Sequence, residues 1–407
     1  MAMTRERNGS FEIKVSLGYD MQGKQIKKYM TWKPSPGMTT KQTEKELARQ
    51  VFLFEDRCRS GLITDGNIRF ADFAEQWMDT HENNLAPSTF VRYRVLLGRI
   101  NAAFGHVKLG KLQSRHLQEF YKNLAENGIN KRSGKKLSDT TIVHHHRLIR
   151  VILGEAYKQG CVLRNVATLV TLPKMKQKDI VFLDEHNALK LCSILSSAPI
   201  KWKTALLLLL YTGMRRGELV GLEWSDIDFD ENVIRIRRTA QYLVLPKYEY
   251  TSGKGERHKG RIIEKEPKTK SGSRCLTVDD TVIGLLREYR KWWLEQKLSN
   301  GDRWVKTEKL FIREDGGVMF PDSITDFAVK LAKRHGLPAF TPHSLRHTNI
   351  SLMIAAGVDL VTAAGRAGHA QVSTTANIYA HLIQSANARA AEKIGDILNY
   401  RRIEKQA

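Results

Sequence analysis

The chain has 407 residues, a formal net charge of +23 at neutral pH, 42% apolar residues and four cysteines. That length holds two or three domains with real cores, while the apolar run at 205–210 falls far short of the roughly 20 residues that span a bilayer and the charged N-terminus has no signal-like apolar stretch. Cys58, Cys161, Cys192 and Cys275 are far apart and form no CxxC pair, which argues against a zinc ribbon or a disulfide framework; the expectation is a cytoplasmic protein without a membrane segment whose positive field draws a polyanion, nucleic acid foremost.

Between residues 8 and 32 apolar and polar residues alternate, with Phe11, Ile13, Val15 and Leu17 on one face, turn residues at 18–23, and Ile26, Tyr29 and Trp32 beyond. This predicts a small antiparallel sheet. Pro34, Pro36 and Gly37 stop it, and Thr40 can cap a helix reaching about Arg59, with Leu47, Val51 and Phe54 facing the sheet. Lys24, Lys27 and Lys28, on or beside the strands, suit a module (residues 1–65) that lays strands in a DNA groove.

Residues 66–173 carry helical periodicity: Phe70, Phe73 and Trp77; then Pro87 and Ser88 opening a helix with Tyr93, Leu97, Ile100 and Phe104; then Ser114 capping one with Leu117, Phe120, Tyr121 and Leu124; then a helix from Ser138 to about Lys158. The loop before the last helix is basic, with Lys131, Arg132, Lys135 and Lys136 as DNA-contact candidates. Consecutive helix positions diverge by about 100°, so His144, His145 and His146 cannot converge on a metal; a solvated or DNA-facing surface is expected of them. Residues 174–180 read as a basic linker that would suit a clamp closing on a duplex. From 181 to 407 the chain reads as mostly helical, with strands near 232–238 and 273–278 and a hydrophilic insertion between them.

The chemistry-bearing residues are scattered through this last region. Arg215 follows the apolar run in the stretch TGMR, and Glu218, one helical turn on, can orient it. In HSLRH, after Pro342, His343 and Arg346 share a helix face at i, i+3, with His347 at i+4. An HExxH zinc motif would need Glu where Ser344 stands, so no metal is expected. Guanidinium forks suit a phosphodiester and neutralise charge as a phosphorane forms. No carboxylate cluster of the two-metal type accompanies them, which favours a side-chain nucleophile over activated water. Tyr379, ten residues after His369, is the candidate, although spacing alone fits a packing role better. No P-loop is present, and no cofactor is expected.

TGMR with Glu three residues after the Arg, then HSLRH, then Gly-His followed at ten residues by the Tyr of TTANIYAHL, resembles the tyrosine recombinase (phage-type integrase) family, particularly integrases of phages and conjugative transposons. Ala367 departs from the leucine often found before Gly-His, and residues 242–265 lengthen the connection to the lysine-bearing segment. The resemblance implies a multidomain protein, mainly α with small β-sheets: an arm-binding sheet-plus-helix domain (1–65), a four-helix core-binding domain (66–173), the linker, and a mixed, mostly α catalytic domain (181–407). It implies site-specific integration and excision of a mobile element through a 3′-phosphotyrosyl intermediate. Tyr379 would attack, Arg215 and Arg346 would grip the phosphate, His343 would take the tyrosine proton, His369 would bond the phosphate, and Lys268 or Lys270, with Lys268 preferred, would protonate the leaving oxygen. Partners implied are double-stranded core and arm DNA, other copies of the chain in a tetrameric synapse, an excisionase and a host DNA-bending protein. A helical tail at 385–398 would dock on a neighbouring protomer, as in similar recombinases, or pack in cis. A non-catalytic DNA-binding regulator on the same scaffold is the alternative, and a type I topoisomerase a third option.

Overall fold

In a computed structural model, the structure describes residues 2–19, 22–59, 67–129, 134–174, 181–244, 250–251, 257–258, 260–266, 272–379 and 394–395. Lys131, Arg132, Lys268, Lys270, His381, most of the linker and nearly all of the tail lie outside them. Contacts divide the chain into two units, Met1–Gln177 and Lys178–Ala407.

The first unit opens with β1 (Met3–Arg7), β2 (Ser10–Tyr19) and β3 (Gln25–Trp32), an antiparallel meander, then α1 (Thr40–Arg59). Period-two alternation puts Ile13 and Val15 under α1, where they are buried with Phe54 and Cys58. The cap of α1 is Thr39 rather than Thr40: its backbone N–H donates to Gln42 Oε1 (2.9 Å). β1 was not anticipated, because MTRER has no alternation to mark it. Pairing of Val15 with Lys28 and of Ser16 with Lys27 sends the two lysines to opposite faces. Lys27 therefore lies on the face away from α1, alongside Lys14 and Tyr29, and Lys28 on the helix side.

Four helices follow: α2 (Phe70–His81), α3 (Pro87–Phe104), α4 (Ser114–Asn127) and α5 (Asp139–Lys158). Their apolar stripes meet in a core that includes Phe70, Trp77, Leu97, Ile100, Phe104, Leu117 and Phe120. Gln113, not Ser114, precedes the first turn of α4, and Ser138 caps α5 by accepting from Thr141 N. The histidine run corrects the expectation of a solvated surface. α5 buries nine residues, so its core stripe is wide enough to take in His145 (1% exposed) and His146 (6%). His145 Nδ1 bonds Thr141 O (2.8 Å) and His146 Nδ1 pairs with Tyr121 Oη (3.2 Å).

The second unit begins with α6 (Glu185–Ser196), α7 (Ile200–Thr212) and α8 (Arg216–Gly221). Strands β4 (Ile227–Asp228), β5 (Val233–Ile236), β6 (Thr239–Val244), β7 (Tyr250–Thr251), β8 (Arg257–His258), β9 (Gly260–Lys265) and β10 (Arg274–Thr277) come next, then α9 (Asp280–Asn300), α10 (Pro321–His335), α11 (Pro342–Ala355), α12 (Leu360–Ala367) and α13 (Val372–Ile378). β5 is the middle strand of the sheet β10-β5-β4, and all pairings are antiparallel. The hydrophilic insertion pairs β6 with β9 and β7 with β8 as a ribbon. α7 is apolar nearly all round because it is central: Leu206, Leu208 and Leu209 are fully buried, in one core with Leu219, Ile234, Leu286, Phe311 and Leu345. No helix among the described residues is long and apolar enough to cross a membrane.

Candidate active site

α7 ends on Gly213 in the left-handed conformation (φ +63), which turns the chain sharply and leaves Arg215 extended at the N-cap of α8. Glu218, in the first turn of α8, accepts from the Arg215 backbone N–H (2.9 Å) and from Arg215 Nη1 (2.7 Å). Its second role was not anticipated: Glu218 Oε2 also accepts from Arg274 Nη2 (2.9 Å), on β10. The carboxylate is 3% exposed and the Arg274 side chain 8%, so this is a buried pair with the remaining valences occupied. Burial raises the Glu218 pKa, but Arg274 and Arg215 outweigh it and hold the carboxyl below its ordinary range.

The two arginines also complete the end of α12. Gly368 caps that helix in the left-handed conformation, and carbonyls there have no intrahelical donor. Arg215 Nη2 donates to Gly368 O (2.9 Å) and Arg274 Nε to Arg366 O (2.7 Å). His369 follows immediately, its Nδ1 2.8 Å from Thr375 Oγ1 on α13, which leaves Nε2 as the ring's other hydrogen-bonding atom.

α11 is set by Thr341, which accepts from Ser344 N, and by Pro342 in the first turn. It carries His343, Arg346 and His347. Arg346 is 2% exposed; Nη1 donates to Gly213 O (2.9 Å), whereas Nη2 is buried without a hydrogen-bond partner among the described residues. Burial, then the Arg215 charge, lowers its pKa to about 10, which leaves it charged at neutral pH. A buried, unpaired guanidinium nitrogen beside Arg215 calls for an anionic oxygen.

Tyr379 sits just after α13, with its ring packed against Ile350, Ile354 and Ala367. It is 1% exposed, and its hydroxyl lies 2.5 Å from His347 Nδ1. His343 is exposed and meets His347 edge to face, ring centroids 4.5 Å apart. Burial raises the Tyr379 pKa well above the ordinary phenol value, with Arg346 opposing. Burial, His343 and Arg346 lower His347 to about 4; burial, Arg346 and Arg215 do the same to His369. His343 is shifted in the same direction by partial desolvation and the two arginines.

Arg215, Glu218, Arg346, His369 and Tyr379 thus come together as expected from sequence. His347 takes the contact with the tyrosine that was expected of His343. Its i+4 spacing from His343 placed it on the right face, but nothing in the sequence said how α13 would approach. Arg274 gave no signal, because its position depends on the pairing of β10 with β5. Among the described residues, no three His, Cys, Asp or Glu side chains gather as a metal site. Three guanidiniums against one carboxylate, with neutral imidazoles, leave the site net positive and suited to a phosphodiester.

Residues 181–385 match the phage integrase family, and residues 69–125 match the phage integrase N-terminal SAM-like domain. A tyrosine recombinase XerC-like protein of Caldanaerobacter subterraneus subsp. tengcongensis is 28% identical, over 96% of this chain and 97% of its own length. The Tn1549 transposon integrase, solved in complex with transposon right end DNA, shares the fold with a TM-score of 0.64 at 21% identity, over 80% of this chain and 99% of that one. A lambda integrase tetramer bound to a Holliday junction has a TM-score of 0.55 at 14% identity, over 90% and 95%.

Two outcomes follow from this geometry. A Cβ at residue 213 would lie 2.6 Å from Asn349 Oδ1 at a backbone angle that side chains avoid, so Gly213→Ala should cost about 1–3 kcal/mol, read by chemical denaturation. His347 and His369 have folded pKa values below the unfolded one, so the unfolded state binds more protons between about pH 6.5 and 4 and stability falls as pH drops through that window. Replacing both histidines with Asn should flatten this loss; equal slopes for variant and wild type in denaturation at stepped pH would show that the imidazoles are not held neutral.

Proposed function

Because this chain belongs to the phage integrase family, we propose that it is a site-specific DNA recombinase that integrates and excises a mobile element through a covalent tyrosine intermediate. The observation that carries the reading is the buried Arg346 Nη2, unpartnered among the described residues, beside Arg215, His369 and the Tyr379 hydroxyl.

In this reading the scissile phosphate enters with one non-bridging oxygen toward Arg346 and another toward Arg215. His369 Nε2 donates a further bond, its ring held from behind by Thr375. The attack of Tyr379 Oη on phosphorus forms a 3′-phosphotyrosyl bond and releases the 5′-oxygen, which takes its proton from Lys268 or Lys270. The paired arginines neutralise the extra charge of the phosphorane, worth several kcal/mol of barrier in comparable sites, about 3–4 for a single donor. Strand exchange is the reverse step with a different 5′-hydroxyl, and the phosphotyrosyl bond conserves the energy, so no nucleotide cofactor is required.

The other regions supply DNA affinity. Residues 1–65 would bind arm sites through the sheet face bearing Lys27, with Lys24 at the preceding turn and Lys28 contributing from the helix side; residues 66–173 would bind the core site, with Lys131, Arg132, Lys135 and Lys136 on the phosphate backbone. Assembly on DNA as a homo-oligomer, a tetramer at the junction stage, accords with the lambda integrase assembly. An excisionase and a host bending protein would set direction.

A DNA substrate nicked next to the cleavage site should trap wild-type protein as a covalent adduct on denaturing gels. Tyr379→Phe should form none while binding the same DNA with unchanged affinity. Adduct formation by the Phe variant would remove Tyr379 as the nucleophile, and absence of any adduct with wild type on its cognate site would leave a DNA-binding regulator.

A further inference from the structure

A nucleophilic tyrosine must lose a proton with an ordinary pKa near 10, so the group that touches its hydroxyl matters. Among the described residues the hydrogen-bond partner of Tyr379 Oη is His347 Nδ1, at 2.5 Å, and the two rings stand 5.9 Å apart. The charged and titratable groups facing His347 are His343 and Arg346 on its own helix, with His369 and Tyr379 on the α12–α13 segment. Burial first, then His343 and Arg346, disfavours a second proton on the ring. In the neutral tautomer with its proton on Nε2, Nδ1 presents a lone pair to Oη–H.

Resting on the reading of Tyr379 as nucleophile, we propose that His347, through Nδ1, is the catalytic base that takes the tyrosine proton during DNA cleavage, and that His343 acts on the phosphate side of the site. As the Oη–P bond forms and the P–O5′ bond breaks, the proton on Oη passes to Nδ1 and the electron pair of the broken bond leaves with O5′, which is protonated by the general acid. In rejoining, a 5′-hydroxyl attacks phosphorus, Oη leaves, and His347 returns the proton. The bound phosphate brings the negative charge that the empty site lacks, and it offsets the arginines that otherwise oppose the imidazolium. Proton transfer is thereby tied to occupancy by DNA.

The test is single-turnover adduct formation by the full-length protein on the nicked DNA, followed against pH, with DNA binding measured in parallel. His347→Asn places an amide where Nδ1 stood and keeps a hydrogen bond to Oη, but it cannot take the proton. Cleavage should fall about 100-fold, within the range for loss of a general base, with DNA affinity unchanged and the acidic limb of the rate profile gone. His347→Ala should recover part of its rate with added imidazole, a response that a packing role would not give. His343→Asn should lose rate but keep the acidic limb. Cleavage by His347→Asn within a few-fold of wild type, or an acidic limb lost only in His343→Asn, would overturn the assignment while leaving Tyr379 as nucleophile. Absence of adduct with wild type would overturn both.

Discussion

Everything at the site leans on one buried carboxylate. Glu218 binds Arg215 and Arg274 at once, and those arginines in turn hold the last carbonyls of α12. Two unit charges 4 Å apart at a protein-like effective dielectric interact by about 4 kcal/mol, so guanidiniums gathered for a phosphate would drive each other apart without an anion between them. One carboxylate holds two of the three cations, the Gly213 carbonyl takes the third, and a single negative charge is too little to neutralise them. The site is therefore built around a deficit of negative charge that its substrate fills.

Burial, against the pull of that positive charge, keeps the resting tyrosine protonated. Its ring belongs to the apolar contact between α11 and α12, and burial favours the neutral phenol. Neighbouring imidazoles are kept neutral by desolvation and by the arginines. In the proposed reaction an anion seated between Arg215 and Arg346 offsets the charges that keep those imidazoles neutral. A nucleophile that could ionise freely would be a hazard in an enzyme that meets DNA everywhere.

The grouping of the candidate site residues was largely legible in sequence because several sit at a helix boundary with its own local signature: Gly213 before Arg215, Pro342 before His343, and Gly368 before His369. Motif spacing therefore carried over into space. The alternating Ile13 and Val15 and the helical stripes of α2–α5 were legible for the same local reasons. The misreadings arose where packing partners decide. His145 and His146 look polar in sequence, but a central helix takes them into the core. Arg274 and the tyrosine contact of His347 depend on strand pairing and on the approach of α13, neither of which has a marker in the residues themselves.

The clamp of Arg215 on the Gly368 carbonyl has a mechanical consequence. Tyr379 is 1% exposed, with its hydroxyl against His347, so its place in the site is set by the segment beyond α12. Gly368 is fixed from outside by Arg215, while the seven residues of α13 form an arm about 10 Å long between that point and the tyrosine. The arm is tied at its root by Arg215, along its length by the bond from His369 to Thr375, and at its tip by His347. A nucleophile located in this way is referenced to the arginines themselves, so in the proposed reaction the bond to DNA is made and unmade at one place.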